Sequence, residues 1–422
     1  MAMWDLPCKK KTRTVSMGLL VLTGVFVLLV YNLGMVPPGA PSSTSTDTNL
    51  RTVDVIQDVL DARVTEERTE DASFSEAAAN STHIDNYVSN PQCKMKTNLV
   101  FMKVHKAGSH TTACILQRFG YEHRLNFVLP KNCGSPSLGF PRSVPDSRVM
   151  KQNVGDHGYN LLVHHTVYDR VKFHKLMAPD TQFIAILREP LSHLKSSFYY
   201  FKMGKKFGLP PNSLGRYLNN PWLYERKLRK QSSTMTKNLQ SFVLGWKDRF
   251  NQDRDEVRNF ISQLDSDFPL ILILEYFDAS LVLLRRLMCW SFYNILYDRH
   301  PRNKQKYRKA VSYTEQQLQN HRNSSWVDYQ LYDHFNRSLW SKIQAAGPDF
   351  QDELEAFQQL NHDVNSYCAG KPKQKKTFPG SKWNGPVAIN PLFCEALKRV
   401  RLKWDKKICH RARANSKKKK KH

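Results

Sequence analysis

The stretch NLVFMKVHKAGSHTT, residues 98–112, decides how this chain folds. It begins with an apolar run, becomes basic at Lys103, His105 and Lys106, and breaks at Gly108 before a series of small hydroxylated residues. This order predicts a buried β-strand that enters a tight turn and then the N-terminus of a helix. Because such a turn presents free backbone N–H groups and the positive end of a helix dipole, we expect it to bind an anion.

The turn also offers hydroxyl and ammonium groups to an anion, from Ser109, Thr111, Thr112, Lys103 and Lys106. Gly108 would let the backbone approach the ligand closely. The alternative is an ordinary strand–helix turn whose lysines lie in water. A Walker A loop is excluded, because GxxxxGK[ST] is absent and both lysines precede the glycine. No Asp suited to Mg²⁺ follows a later strand, which disfavours a nucleoside-triphosphate enzyme.

A second anion site is predicted in ILREPLSHLKSSF, residues 186–198. Arg188 ends an apolar strand, Pro190 suits the first turn of the next helix, and Ser196 lies eight residues after Arg188. Ligands of open α/β sheets bind beyond the carboxyl ends of the strands. An arginine fork and a serine hydroxyl there could hold a second phosphate. In the alternative interpretation, Arg188 pairs with Glu189 or another acid.

The rest of the pattern predicts an α/β fold, in which helices flank a parallel sheet, because apolar runs alternate with helical segments. Further strands are expected at residues 159–165, 181–187 and 270–277, and helices at 109–119, 169–177, 190–203 and 279–290. Residues 313–368 are expected to be helical with a break at Pro348. The chain after Lys371 is basic and is expected to be irregular.

The N-terminal region predicts a membrane anchor. Residues 17–36 carry no charge and are long enough for a helix to cross the ~30 Å hydrocarbon core. Basic residues precede them, so the positive-inside rule directs the remainder to a lumen. The expected segments are a cytoplasmic tail at 1–16, a transmembrane signal anchor at 17–36, a lumenal stem at 37–92, a globular domain at 93–370, and a basic, partly disordered extension at 371–422. A cleaved signal peptide is the alternative.

Charge and cysteine content agree with this address. The net charge of +27 indicates anionic partners, and a lumenal location disfavours nucleic acid. Glycosylation is predicted at the sequons that start at Asn80, Asn323 and Asn336. Seven cysteines follow the anchor, so some are expected to form disulfides and at least one to remain outside them. No Cys/His spacing suits zinc, and we expect no metal.

The motifs, taken as an ordered series, resemble the galactose 3-O-sulfotransferase family, which includes the galactosylceramide sulfotransferase. The series runs from about residue 98 to 357 and comprises NLVFMKVHKAGSHTT…RFGYEHRLNF, HHTVYDRV, FIAILREPLSHLKSSFYYF, ILILEYFDASLVLL and LYDHFNRSLW. The resemblance implies a P-loop-like sulfotransferase fold at 93–370 and a place in the Golgi membrane. It also implies transfer of sulfate from 3′-phosphoadenosine 5′-phosphosulfate to the 3-hydroxyl of a terminal β-galactose on a glycolipid or glycoprotein.

The resemblance also implies roles for the site residues. The 5′-phosphosulfate would be held by Lys103, Lys106, Ala107, Gly108, Ser109, His110, Thr111 and Thr112. Arg188 and Ser196 would hold the 3′-phosphate. We predict that His105 is the base for the acceptor hydroxyl and that Lys106 or Lys103 stabilises the leaving phosphate. His110 departs from the small hydroxyl residue that is more usual in the family.

Acceptor contacts are predicted at His165, Tyr200 and Glu275, with Trp222 as a further stacking residue. His165 or Glu275 could be the base instead, and His164 should point to the opposite face of the strand. Two other functions stay open: a sulfotransferase for another sugar or uronic-acid hydroxyl, and a non-catalytic lumenal protein that binds anionic glycans. The sequence leaves open which galactoside is the acceptor and whether the chain forms a homodimer.

Overall fold

The computed structural model describes residues 93–152, 154–228, 235–299 and 312–418. The predicted cytoplasmic tail, membrane anchor and stem, together with the sequon at Asn80, therefore lie outside the described residues. Within these four ranges no helix is both long enough and apolar enough to cross a membrane.

The centre of the fold is a four-stranded parallel sheet with the order β2-β1-β3-β4. Its strands are β1 (Leu99–Met102), β2 (Leu161–Leu162), β3 (Gln182–Leu187) and β4 (Leu270–Ile273). Nearly every strand residue is buried, as expected for a parallel sheet covered on both faces. The predicted α/β fold with a parallel sheet flanked by helices is confirmed.

The helices number fifteen in the described residues. In chain order they are α1 (Ser109–Glu122), α2 (Arg170–Leu176), α3 (Pro190–Tyr200), α4 (Met203–Lys206), α5 (Leu214–Asn219), α6 (Pro221–Leu228), α7 (Leu239–Val243), α8 (Arg254–Asp267), α9 (Phe277–Met288), α10 (Phe292–Ile295), α11 (Glu315–Ser324), α12 (Trp326–Ala345), α13 (Phe350–Ala369), α14 (Pro391–Leu397) and α15 (Arg401–Lys418). Short 3₁₀ turns lie at Asp146–Arg148, Gly155–His157 and Leu274–Tyr276.

Local sequence explains where the helices beside the sheet begin. The Asp169 carboxylate accepts the N–H of Lys172 and so caps α2. The Glu189 carboxylate accepts the N–H groups of Leu191 and Ser192 at the start of α3, where Pro190 occupies the first position. Both predicted helix starts are confirmed to within one residue.

Two predicted strands are shorter in the structure. The second retains only Leu161–Leu162 of residues 159–165, because isolated bridges to loop residues Phe127 and Ser137 replace a continuous ladder at this edge. The fourth ends at Ile273, where the 3₁₀ turn leads directly into α9. The end of β4 is thereby turned toward the helix that follows β1.

The expectation that the chain is irregular after Lys371 is wrong. Strands β5 (Lys376–Phe378) and β6 (Val387–Ile389) pair antiparallel, and α14 and α15 follow. Helix α15 packs on α1, where the buried Asp405 accepts a hydrogen bond from Gln117 and lies 3.4 Å from His164. The prediction rested on the basic composition of this segment. The apolar and polar contacts that order it come from distant parts of the chain, so they were not visible in the local sequence.

Three disulfides fasten the described chain. They join Cys93 to Cys289, Cys133 to Cys409, and Cys368 to Cys394. Cys114 takes part in none of them. The prediction that some of the seven cysteines pair and at least one stays outside the disulfides is confirmed, and two of the bridges tie the C-terminal segment to the rest of the fold.

Candidate active site at the carboxyl ends of the strands

The turn between β1 and α1 has left-handed backbone at two positions, a conformation that residues with a side chain rarely adopt. Lys106 and Gly108 have φ angles of +62° and +71°, in the left-handed region. A Cβ atom on Gly108 would lie 2.4 Å from Leu274 Cδ1, in the segment that follows β4. Gly108 has no side chain that could cap α1, so no side-chain acceptor at the N-cap satisfies the first N–H groups of this helix. The fold therefore requires glycine at position 108 beside Leu274, and the close approach of this backbone to a ligand stays a prediction.

Lys103 lies under this turn and is 4% exposed. Its Nζ is 3.3 Å from His165 Nε2 and 3.4 Å from Ser109 Oγ. Burial, assisted by the positive charge of Arg401, lowers the pKa of Lys103 to about 7. Lys103 forms no ion pair with any described carboxylate, so an anionic ligand at the turn would stabilise its buried ammonium form.

His165 is held in one orientation by the same lysine. Its Nδ1 donates to the Lys103 carbonyl at 2.8 Å, which leaves Nε2 to accept from the Lys103 ammonium group. Burial and the charge of Lys103 keep the pKa of His165 well below its ordinary value. Both ring nitrogens are thus engaged. His164 faces Asp405 instead, so the predicted alternation of the two side chains is confirmed.

His105 stands beside this pair. Its ring stacks on His165, with centroids 3.7 Å apart and planes 9° apart, and meets the Phe140 ring at 4.4 Å. Burial first, and then the charge of Lys103, lowers the pKa of His105 to about 3. Its Nδ1 is buried and makes no hydrogen bond to any described residue. A neutral imidazole with an unused nitrogen fits the predicted base.

Arg188 joins the two predicted anion sites. Its Nη1 donates to the Lys106 carbonyl at 3.2 Å. Gln240 fixes the backbone of Arg188 by accepting its N–H and donating to its carbonyl, both at 2.9 Å. The guanidinium forms no ion pair with Glu189 or any other described acid, contrary to the alternative interpretation. Ser196 is buried on α3, and the described residues show no hydrogen bond between it and Arg188.

Besides His105 Nδ1, two buried polar atoms in the predicted anion sites lack hydrogen-bond partners among the described residues. They are Arg188 Nε and Thr112 Oγ1, one from each predicted anion site. Buried polar groups are nearly always satisfied in folded proteins, and a ligand can supply the missing partner. The residues present therefore fit a ligand with anionic groups at two positions.

The predicted stacking residues already contact lysines. Lys106 Nζ lies 3.8 Å above the ring of Tyr200, which is 61% exposed. Lys237 Nζ lies 3.7 Å above Trp222 and also donates to the Ser324 carbonyl. One face of each ring is thus covered by a cation, and a sugar or adenine could stack only on the other face.

The other predicted residues have distinct surroundings. Both carboxylate oxygens of Glu275 are engaged, one by the Glu189 N–H at 3.1 Å and the other by the Tyr332 hydroxyl at 3.2 Å. This arrangement anchors the start of α3 to the end of β4. In the turn, Ala107 is buried and His110 is exposed, and the sequon residues Asn323 and Asn336 lie on α11 and α12. Asn323 is exposed, whereas Asn336 is half-buried.

Four residues that position the site were missed in the sequence. His193 donates to the His105 carbonyl at 2.7 Å, and Gln240, Leu274 and Phe140 make the contacts described above. His193 stands inside the REPLSHLKSSF motif, so its position was visible although its partner was not. The other three come from segments remote in the sequence and carried no signal of their own.

Comparison with known proteins places the chain among sulfotransferases. Residues 5–377 match the family described as Galactose-3-O-sulfotransferase. The chain is 30% identical over 287 residues to galactose-3-O-sulfotransferase 2 of Mus musculus, covering 66% of this chain and 71% of that protein. It is 28% identical over 388 residues to the galactosylceramide sulfotransferase of Mus musculus, covering 86% and 80%. With galactose-3-O-sulfotransferase 3 of Bos taurus it shares 34% over 255 residues, covering 59% and 58%.

Proposed function

Because this chain belongs to the galactose-3-O-sulfotransferase family, we propose that it transfers sulfate from 3′-phosphoadenosine 5′-phosphosulfate to the 3-hydroxyl of a galactose. The sulfotransferase family implies this donor. We further propose that the galactose is the terminal β-galactose of a glycolipid or glycoprotein. The galactosylceramide sulfotransferases among the relatives support the glycolipid, and the galactose-3-O-sulfotransferases support galactose as the sugar.

The observation that carries the proposal is the meeting of two anion sites at one sheet edge. The Arg188 guanidinium donates to the carbonyl of Lys106, inside the turn after β1. Each site also contributes a buried group in need of a partner, Arg188 Nε and Thr112 Oγ1. A donor with a 5′-phosphosulfate and a 3′-phosphate offers anions to both. A protein that merely attracts polyanions through surface charge needs neither the left-handed Gly108 nor the half-buried Arg188.

The chemistry assigned to these residues is proton removal and charge stabilisation. The acceptor hydroxyl attacks sulfur, the bond from sulfur to the bridging oxygen breaks, and the hydroxyl proton passes to the neutral ring of His105. The bridging oxygen, now part of a phosphate, gains negative charge that Lys103 or Lys106 would stabilise. Anionic charge at the turn also offsets the cations that depress the pKa of His105, and so makes this ring a better base than in the free enzyme.

The test is a transfer assay with the full chain. Radiolabelled phosphosulfate donor would be supplied with galactosylceramide, lactose, N-acetyllactosamine or galactosyl-N-acetylgalactosamine, and the position of the sulfate would be read by NMR. Label on the 3-hydroxyl of galactose, absent with His105→Ala, supports the proposal. Label on another hydroxyl would change the acceptor position. No label, together with no binding of adenosine 3′,5′-bisphosphate, would refute a sulfotransferase.

We also propose that the protein is a single-pass Golgi membrane protein with a lumenal catalytic domain. The uncharged residues 17–36 and the basic residues before them support this orientation. Disulfides agree with an oxidising compartment. Protease treatment of intact Golgi vesicles should leave the catalytic domain protected, and digestion without detergent would overturn the orientation.

A further inference from the structure

A basic cleft opens beside the candidate active site. Its volume is about 1040 Å³, near the upper limit of the roughly 300–1,000 Å³ usual for small-molecule sites. A single galactose would leave much of this space unfilled. Five basic side chains line the cleft, Arg142, Arg148, Lys172, Lys247 and Arg249, whereas Asp248 is the one lining carboxylate among the described residues.

Four of the five basic side chains in the cleft are not neutralised by ion pairs within the described residues. Arg142, Arg148 and Lys247 are exposed, Lys172 is half-buried, and none of these four forms an ion pair with another described residue. The Ser143 hydroxyl, also in the lining, is buried without a hydrogen bond to any described residue. Charges of one sign that converge on a concave surface attract and orient an anion.

A chain of aromatic contacts connects the cleft to the candidate base. The Phe140 ring lines the cleft and lies 4.4 Å from the His105 ring. Phe242 meets Phe140 edge to face at 6.0 Å, and the guanidinium of Arg249 lies 3.6 Å above Phe242. A galactose presented to His105 would therefore have its neighbouring sugar in the cleft, among aromatic faces and basic groups.

We propose that the cleft binds an acceptor that carries a sulfate or carboxylate on the sugar next to the galactose, and that its basic side chains read this second anion. This inference rests on the proposed function, because it places the acceptor of that reaction. The enzyme would then act preferentially on galactosides that are already anionic, so that a reaction adding a sulfate or an acidic sugar precedes this one.

The lining favours a glycan over an anionic lipid surface. The site is concave, and three aromatic rings suited to sugar faces, Phe140, Phe242 and Phe250, lie in its lining beside Pro141 and Pro145. Of the large hydrophobic side chains that are exposed in the described chain, only Val171 is adjacent in the sequence to a residue that lines the cleft, Lys172. One exposed valine does not make the apolar surface that binding to a bilayer requires.

The test compares neutral acceptors with anionic ones. Purified full chain would be assayed with N-acetyllactosamine, with its 6-O-sulfated form, and with galactose linked to glucuronic acid. Variants would be Arg148→Glu and Lys247→Glu, and Lys406→Glu on the exposed face of α15 would control for the change in net charge. The readouts are kcat/KM for each acceptor and the affinity for adenosine 3′,5′-bisphosphate.

We expect the wild type to prefer an anionic acceptor, and the two cleft variants to lower that preference about tenfold, as loss of a charged contact predicts. Lys406→Glu should keep the preference. The sulfated and glucuronic acid acceptors separate a sulfate from a carboxylate as the anion. Equal kcat/KM for neutral and anionic acceptors would overturn the inference while leaving the proposed function intact. Weakened binding of adenosine 3′,5′-bisphosphate in both cleft variants would assign the cleft to the donor instead. Sulfation of none of these galactosides nor of galactosylceramide, together with no binding of adenosine 3′,5′-bisphosphate, would refute the proposed function itself.

Discussion

Replacing Gly108 with alanine should destabilise the protein by about 2–4 kcal/mol. Two costs add at this position. A non-glycine residue in the left-handed region costs about 1–2 kcal/mol, and Gly108 has a φ of +71°. The new Cβ would also lie 2.4 Å from Leu274 Cδ1, and overpacking of this kind typically costs about 1–3 kcal/mol. The two costs sum to about 2–5 kcal/mol, and a shift of Leu274 would relieve part of the second, which gives the expected range of about 2–4 kcal/mol.

Gly208 provides a matched control for this substitution. Its φ is +73°, nearly the same as that of Gly108, but no described atom lies within 4 Å of the position that an added Cβ would take. Gly208→Ala should therefore cost only the backbone term. Urea unfolding would give the free energy of each variant, and calorimetry would give its affinity for adenosine 3′,5′-bisphosphate. Equal destabilisation by the two substitutions, with donor affinity unchanged in Gly108→Ala, would refute the claim that Leu274 and the turn shape the donor site.

Three other outcomes are expected. His105→Ala should lower kcat by about 10²–10⁴-fold while donor binding persists, with His410→Ala as an exposed control; retained turnover would remove His105 as the base. Arg188→Ala should weaken binding of adenosine 3′,5′-bisphosphate by about 10–100-fold, the value of one charged hydrogen bond, whereas Arg216→Ala should not; unchanged affinity would separate Arg188 from the donor. Because Lys103 has a pKa lowered to about 7, the unfolded chain binds more protons above this pH, so stability should rise from pH 7 toward 10. Lys103→Met should flatten that rise, by an amount on the order of a few kcal/mol, in unfolding curves measured across this range.

Local patterns in the sequence predicted the sheet and the positions of its turns. Apolar runs bounded by Gly108 and Pro190 are local signals, and the structure confirms the strands and helices beside them. The prediction for the C-terminal segment was wrong because the contacts that order this segment are not local. Asp405 and Arg411 order α15 through contacts with Gln117 and with the carbonyls of Tyr121 and Leu125, nearly 300 residues away in the chain. No local pattern encodes such contacts.

In the candidate site, too, the sequence indicated some residues but not the contacts that position them. The types of residue at Lys103, His105 and Arg188 could be chosen from the sequence, because anion binding and proton transfer demand them. Their partners could not, since the hydrogen bond from His193 to the His105 carbonyl joins segments that follow different strands. The family match ends at residue 377, yet the fold continues to Lys418 and brings Asp405 against His164.

The electrostatics of the free site have a consequence for the order of binding. Burial first, and then nearby positive charges, lower the pKa of Lys103 to about 7 and that of His105 to about 3, so these two groups are weak bases in the free site. An anionic donor reverses the repulsive part of both shifts. It raises the pKa of Lys103, which then carries the charge needed by the leaving phosphate, and it increases the basicity of His105. We infer that the donor binds before the acceptor hydroxyl loses its proton, because donor binding favours the charged form of Lys103 and raises the basicity of His105, whose ring is already neutral.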